Sequence, residues 1–140
     1  MENITDNIMK LYLYADCCKM IHYTTERMHI HELCDQVRNK IVTFTDDLAE
    51  QSFGYFGKPK YQDFTINQTI EPTSDIAKLC KKVLGVVIPM REIFVDEDLN
   101  GLVSLIDDFT AAMRQFIYLS TFDNEKINEV VNKVVDKYLN

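Results

Sequence analysis

Apolar residues recur every three or four positions through four long stretches of this chain, a spacing that gathers them on one face of an α-helix. In the first stretch Ile4, Ile8, Leu11, Ala15 and Cys18 draw such a stripe, and His22 continues it. A polar break at residues 24–27 precedes a second stripe of Leu33, Val37, Ile41, Phe44, Leu48 and Phe53, which runs out at Gly54 and Gly57 before Pro59. Two long helices joined by so short a break form an antiparallel hairpin. Residues 54–72 hold two of the four glycines and two of the three prolines, and read as the one long connection. Thr73 or Ser74 is expected to cap a third helix through Ile76, Leu79, Val83, Val86, Val87, Met90 and Phe94. Pro89 lies inside it, and Gly85 four residues earlier leaves an uncrowded carbonyl, so a kink is expected and not a break. Behind a capping aspartate in residues 95–98, the residues Leu102, Leu105, Ile106, Phe109, Met113, Phe116 and Ile117 define a fourth helix. A short fifth helix, capped by Asp123 or Asn124, is expected through Ile127, Val130, Val131, Val134 and Tyr138.

The fold class expected is therefore all-α: a four-helix bundle of ferritin-like connectivity, with short turns between the first two and last two helices, one long crossing between them and a short extra C-terminal helix. With 140 residues and 46% hydrophobic composition, the chain supports one core, so residues 1–140 are expected to form a single domain. A net charge of -7 repels phosphate backbones and attracts cations, which argues against nucleic acid as a partner. The four cysteines form no CxxC pair, and most sit in apolar helical patterns where a reduced thiol packs as a small hydrophobe. The opening MENITDNIMK has no basic stretch followed by an apolar run, and no segment approaches about 18 uninterrupted apolar residues. A cytoplasmic location without membrane association is the expectation.

All three histidines, His22, His29 and His31, lie at the turn between the first two helices, a grouping that suits either a metal site or a polar surface. Further along the second helix come Asp46, Asp47 and Glu50, with Asp46 and Glu50 one turn apart on one face. His31 and Asp46 differ by 46 − 31 = 15 positions, a separation of roughly 22 Å at the standard helical rise. One subunit cannot bring both to one metal. Two copies whose second helices pair antiparallel about a two-fold axis can set His22 and His31 of one chain against Asp46 and Glu50 of the other, twice over. Two imidazoles and two carboxylates suit Fe(II), and Zn(II) or Mn(II) as substitutes.

These residues also carry a resemblance. His31-Glu32, then Asp46-Asp47-Leu48-Ala49-Glu50, then Gly57-Lys58-Pro59 resembles the second-helix signature of Dps, the DNA-binding protein from starved cells, a family of the ferritin-like superfamily. His22-Tyr23 looks like the His-Trp pair that ends that family's first helix, and the likeness continues weakly into Leu105-Ile106-Asp107-Asp108 and Ile117-Tyr118-Leu119-Ser120, covering most of residues 8–122. The resemblance implies a ferroxidase centre of His22 and His31 from one subunit with Asp46 and Glu50 from its two-fold partner, and Asp35 as an accessory ligand. It further implies a hollow dodecameric shell that oxidises Fe(II), typically with hydrogen peroxide, and stores the ferric product. The segment from His22 to His31 is three residues shorter than the family's spacing. Tyr23 and Ile117 stand where it has tryptophans, and no lysine-rich N-terminal tail is present for DNA.

Other chemistries find less support in the chain. Glu26-x-x-His29 has the form of a conventional di-iron motif, but that site requires a second copy of the motif, which is missing. Methionine and phenylalanine stripes on the last two helices read as core. The alternative to a ferroxidase is a ferritin-like scaffold or interaction protein whose metal site has degenerated.

Overall fold

Each of the four apolar stripes becomes one long helix. In the computed structural model, which describes residues 2–122 and 133–138, these are α1 (Glu2–Thr24), α2 (Met28–Phe56), α3 (Ile76–Asp96) and α4 (Asn100–Leu119). No strand occurs among the described residues. Residues 133–138 are helical and exposed; the rest of the expected fifth helix, including its cap and Ile127, Val130 and Val131, lies outside the described residues.

The helix ends follow local chemistry, with two departures from expectation. Gly57 closes α2 at a φ of 107°, a conformation open to glycine, and its amide donates to the Phe53 carbonyl at 3.0 Å. The cap of α3 is Asp75, not Thr73 or Ser74: its Oδ1 accepts from the Ala77 and Lys78 amides at 2.9 and 3.2 Å. An anionic oxygen there satisfies two otherwise orphaned donors and meets the positive end of the helix dipole. Thr73 supports it from one step back, its Oγ1 accepting from the Asp75 amide at 3.2 Å. α3 passes Pro89 as one helix, and at Gly85, four residues earlier, even an added Cβ would meet nothing within 4 Å. No aspartate caps α4: its N-cap is Leu99, without a side-chain bond, and Asp98 instead reverses the chain at a φ of 56°.

Contacts between elements set their directions. The turn after α1 folds α2 back along it, so that Lys19 of α1 meets Asp35 of α2. Residues 57–75 then run the length of α1. Thr5 Oγ1 donates to the Asp63 carbonyl at 3.1 Å, Gln68 Nε2 to Asp6 Oδ1 at 2.8 Å, and the Cys17 thiol to the Thr73 carbonyl at 3.4 Å. α3 therefore starts beside the C-terminal half of α1 and runs parallel to α2. α4 returns antiparallel to both, with Gln51 of α2 against Gly101 at its start and His29 of α2 against Leu119 at its end.

α1 and α4 each pack against α2 and α3, while α2 and α3 lie diagonally opposite and scarcely touch. The result is a four-helix bundle in which every neighbouring pair is antiparallel. Leu11, Ile41, Leu48, Val83, Phe94, Ile106 and Met113 are buried at its centre, and parallel rings of Phe44 and Phe109, 3.8 Å apart, join α2 to α4. No described helix is long and apolar enough to cross a membrane.

Candidate functional site

The tight turn at residues 25–27 decides what happens to the histidines. It places His22 in the last turn of α1 directly beside His31, just past the first turn of α2. The two imidazoles stack with centroids 3.7 Å apart and planes 21° from parallel. Each ring is tied to the other helix's backbone: His22 Nδ1 lies 2.8 Å from the His31 carbonyl, and His31 Nδ1 lies 2.8 Å from the His22 carbonyl. A carbonyl oxygen can only accept, so both Nδ1 atoms carry the hydrogen. In the neutral rings Nε2 is then a bare lone pair on each, without a partner among the described residues. This is the tautomer a metal-binding histidine needs, with the second nitrogen anchored to the backbone. The C-terminal end of α1, where His22 sits, also favours positive charge through the helix dipole.

A carboxylate and an ammonium group flank the pair. Asp35 Oδ1 stands 3.6 Å from His22 Nδ1 and 2.8 Å from Lys19 Nζ. The Lys19 hydrogen bond, with smaller help from the two histidines, holds the Asp35 carboxyl below its usual range. The Lys19 ammonium also lies 5.6 Å from the centroid of the Tyr23 ring, which meets His22 edge-on. Tyr23 is itself largely exposed beside the pair. His29 does not join this group. It turns the other way, bonding the Leu119 carbonyl through Nε2 and stacking on Phe122, while Arg27 donates to the Phe122 carbonyl at 3.1 Å. His29 thus finishes the C-terminus of α4, whose last carbonyls lack intrahelical donors.

Asp46 and Glu50 stay apart from the histidines within one chain. Both are exposed, several turns further along α2, and Asp46 lies close enough to Tyr12 of α1 to add to the upward push that burial gives the Tyr12 phenol. Among the described residues, no three His, Cys, Asp or Glu side chains converge to hold a metal. At about 100° per residue, however, His31, Asp35, Asp46 and Glu50 fall within roughly 100° of arc around α2. They share one outer face, together with half-buried Arg38 and Val42. The Arg38 Nε is buried there with no hydrogen-bond partner among the described residues.

Lys19 is the site residue that spacing alone passes over. Its only signal is its place one turn before His22, on a helix with several other polar residues. A cleft lined by Arg27, Ile30, Ser74, Asp75 and Ser120 also opens at this end of the bundle, and it includes none of His22, His31 and Asp35. Comparison with family models, with curated proteins and with solved structures finds no match to this chain.

Proposed function

We propose that this chain is a Dps-like ferroxidase and iron-storage protein of the ferritin-like type, acting at sites shared by two-fold-related subunits. The observation that carries the reading is the reciprocal tether between His22 and His31, which leaves an Nε2 lone pair on each ring, with His31 on the face of α2 that also bears Asp46 and Glu50. A bundle with one long crossing and parallel diagonal helices agrees with ferritin-like connectivity. So does an acidic chain that attracts cations.

In the proposed pair, α2 packs antiparallel against the partner's α2. His22 and His31, with Asp35 beside them, then face Asp46 and Glu50 of the partner subunit, and the same site repeats across the axis. The partner's carboxylates complete a mixed nitrogen and oxygen shell that Zn(II) or Mn(II) also satisfies. Iron is the substrate. Each Fe(II) gives up one electron, and two such electrons with two protons convert one hydrogen peroxide into two waters. Pairs of this kind are proposed to build a hollow dodecameric shell that stores the ferric product. Buried, reduced cysteines suit a reducing compartment such as the cytoplasm.

The deciding experiment is an anaerobic Fe(II) titration of the purified assembly, followed by peroxide and then oxygen, with ferric absorbance as the readout. Binding at the shared sites with rapid peroxide-driven oxidation is expected. Asp46→Ala and Glu50→Ala are each expected to abolish binding and leave helical content unchanged, since both side chains are exposed. Unchanged oxidation in these variants would refute the site, and no binding by the parent protein would leave a helical bundle with a structural use.

A further inference from the structure

We propose that the outer face of α3 is a docking surface for a second copy of this chain, the two α3 helices lying antiparallel across a two-fold axis with Ile88 of each seated over Gly85 of the partner subunit. The inference uses neither α2 nor the histidines and stands apart from the metal reading above.

The order of charges along α3 carries the proposal. Behind the Asp75 cap come Lys78, Lys81 and Lys82, and the helix closes on Glu92 and Asp96, with no acidic residue in its first turn and no basic one in its last. Lys82 is taken by Glu71 and Arg91 by Asp107, which leaves Lys78 and Lys81 at one end and Glu92 and Asp96 at the other. That order opposes the helix dipole, which favours acids at the N-terminus and bases at the C-terminus. It also sets like charges one turn apart, Lys78 by Lys81 and Glu92 by Asp96. An isolated helix gains nothing from such a pattern. An antiparallel copy relieves it, because the basic end of each helix then lies along the acidic end of the other.

Shape agrees with charge. At about 100° per residue, Lys81, Gly85, Ile88, Glu92, Val95 and Asp96 fall within roughly 100° of arc, and all are exposed. Ile88 and Val95 are each 44% exposed, while Gly85 leaves an open hollow, since an added Cβ there would meet nothing within 4 Å. A glycine at this place lets a second helix approach closely. Seating Ile88 over Gly85 of the partner subunit fixes the register. Lys81, one turn before Gly85, then stands opposite the partner's Glu92, one turn after Ile88. Two turns out, the Lys78 stem covers the partner's Val95 and its ammonium reaches the partner's Asp96. The axis repeats both contacts on its other side.

Sedimentation equilibrium of the full-length protein at low salt, without added metal, tests the pairing. Lys81→Glu and Glu92→Lys each set like charges against each other twice per pair, and each is expected to weaken self-association roughly tenfold. An equimolar mixture of the two variants should recover it, because each then meets its complement. Gly85→Gln fills the hollow and should weaken pairing as well, while raising the urea midpoint because glycine is a poor helix former, which separates a lost contact from a lost fold. A parent protein that sediments as a single chain overturns the proposal. So does unchanged association in the charge variants, or a mixture that associates no better than its components. The Fe(II) titration described above reads the metal site separately, so either reading can fail without the other.

Discussion

Cys34 and Cys80 show at the residue scale what burial does to a titratable group. Both are wholly buried. Desolvation, then the neighbouring Asp35 charge and Cys17, push the Cys34 thiol from an ordinary 9.0 to about 11. Burial, then Cys34 and Asp75, push Cys80 to about 12. A group whose folded pKa is raised keeps its proton longer when folded, so the unfolded chain loses protons first as pH rises. The stability these thiols support is complete below about pH 9 and declines as pH climbs through 11 and 12. Urea midpoints measured from pH 8 to pH 11 should fall, and Cys34→Ala should flatten part of that slope; a parallel decline in the variant would show that other groups cause it. Nothing in the spacing of the cysteines announces these shifts. They follow from depth in the core, which a helical stripe indicates, and from neighbours on other helices, which it does not.

At the scale of one element, the turn from α3 to α4 shows how a helix end is specified. Leu99 donates to the Phe94 carbonyl at 2.8 Å and Asp98 to the Val95 carbonyl at 3.1 Å. This is the Schellman arrangement, and partly buried Leu99 and buried Phe94 both belong to the adjoining core. Glycine ordinarily holds the reversing position, but here Asp98 does, at a φ of 56°. An L-residue there costs about 1–2 kcal/mol, which a short polar side chain partly relieves. Asp98→Gly should therefore stabilise the protein by about 1 kcal/mol, read as a higher urea midpoint with an unchanged slope. A lower midpoint would mean that the Asp98 side chain contributes more than its backbone strain costs. Aspartates at residues 95–98 signal a boundary between helices, but an aspartate both caps and terminates helices, and composition does not distinguish the two roles. The same ambiguity among Thr73, Ser74 and Asp75 is settled by which oxygen reaches the Ala77 and Lys78 amides.

For the whole molecule, the bundle leaves the outer face of α1 and α2 carrying half-buried Val42, exposed Asn39 and the orphaned Arg38 Nε. A two-fold axis that joins His31 to Asp46 or Glu50 of the partner subunit crosses α2 beside Asn39. Asn39→Arg sets two cations against each other there without disturbing the core, because Asn39 is exposed in the single chain. Sedimentation of this variant should show a smaller species with native helical content, together with weakened Fe(II) binding. Persistence of the parent's assembly would place the subunit contact on another face.

The sequence by itself determined the four long helices, their inward faces, the hairpin that brings His22 and His31 to one turn, and the long crossing before α3. It could do so because three- and four-residue spacing is a local geometric record, set by 3.6 residues per turn and independent of any partner. The all-helical class and the four-helix bundle followed from that record. Which groups meet across helices was decided only by the tertiary structure. Three equivalent-looking histidines separated into a stacked pair and a lone one that finishes α4, Lys19 found Asp35, and Asp46 remained far from the imidazoles within its own chain. Such partnerships depend on the rotation and offset of one helix against another, quantities fixed by packing of the whole core and not encoded in the spacing along either helix.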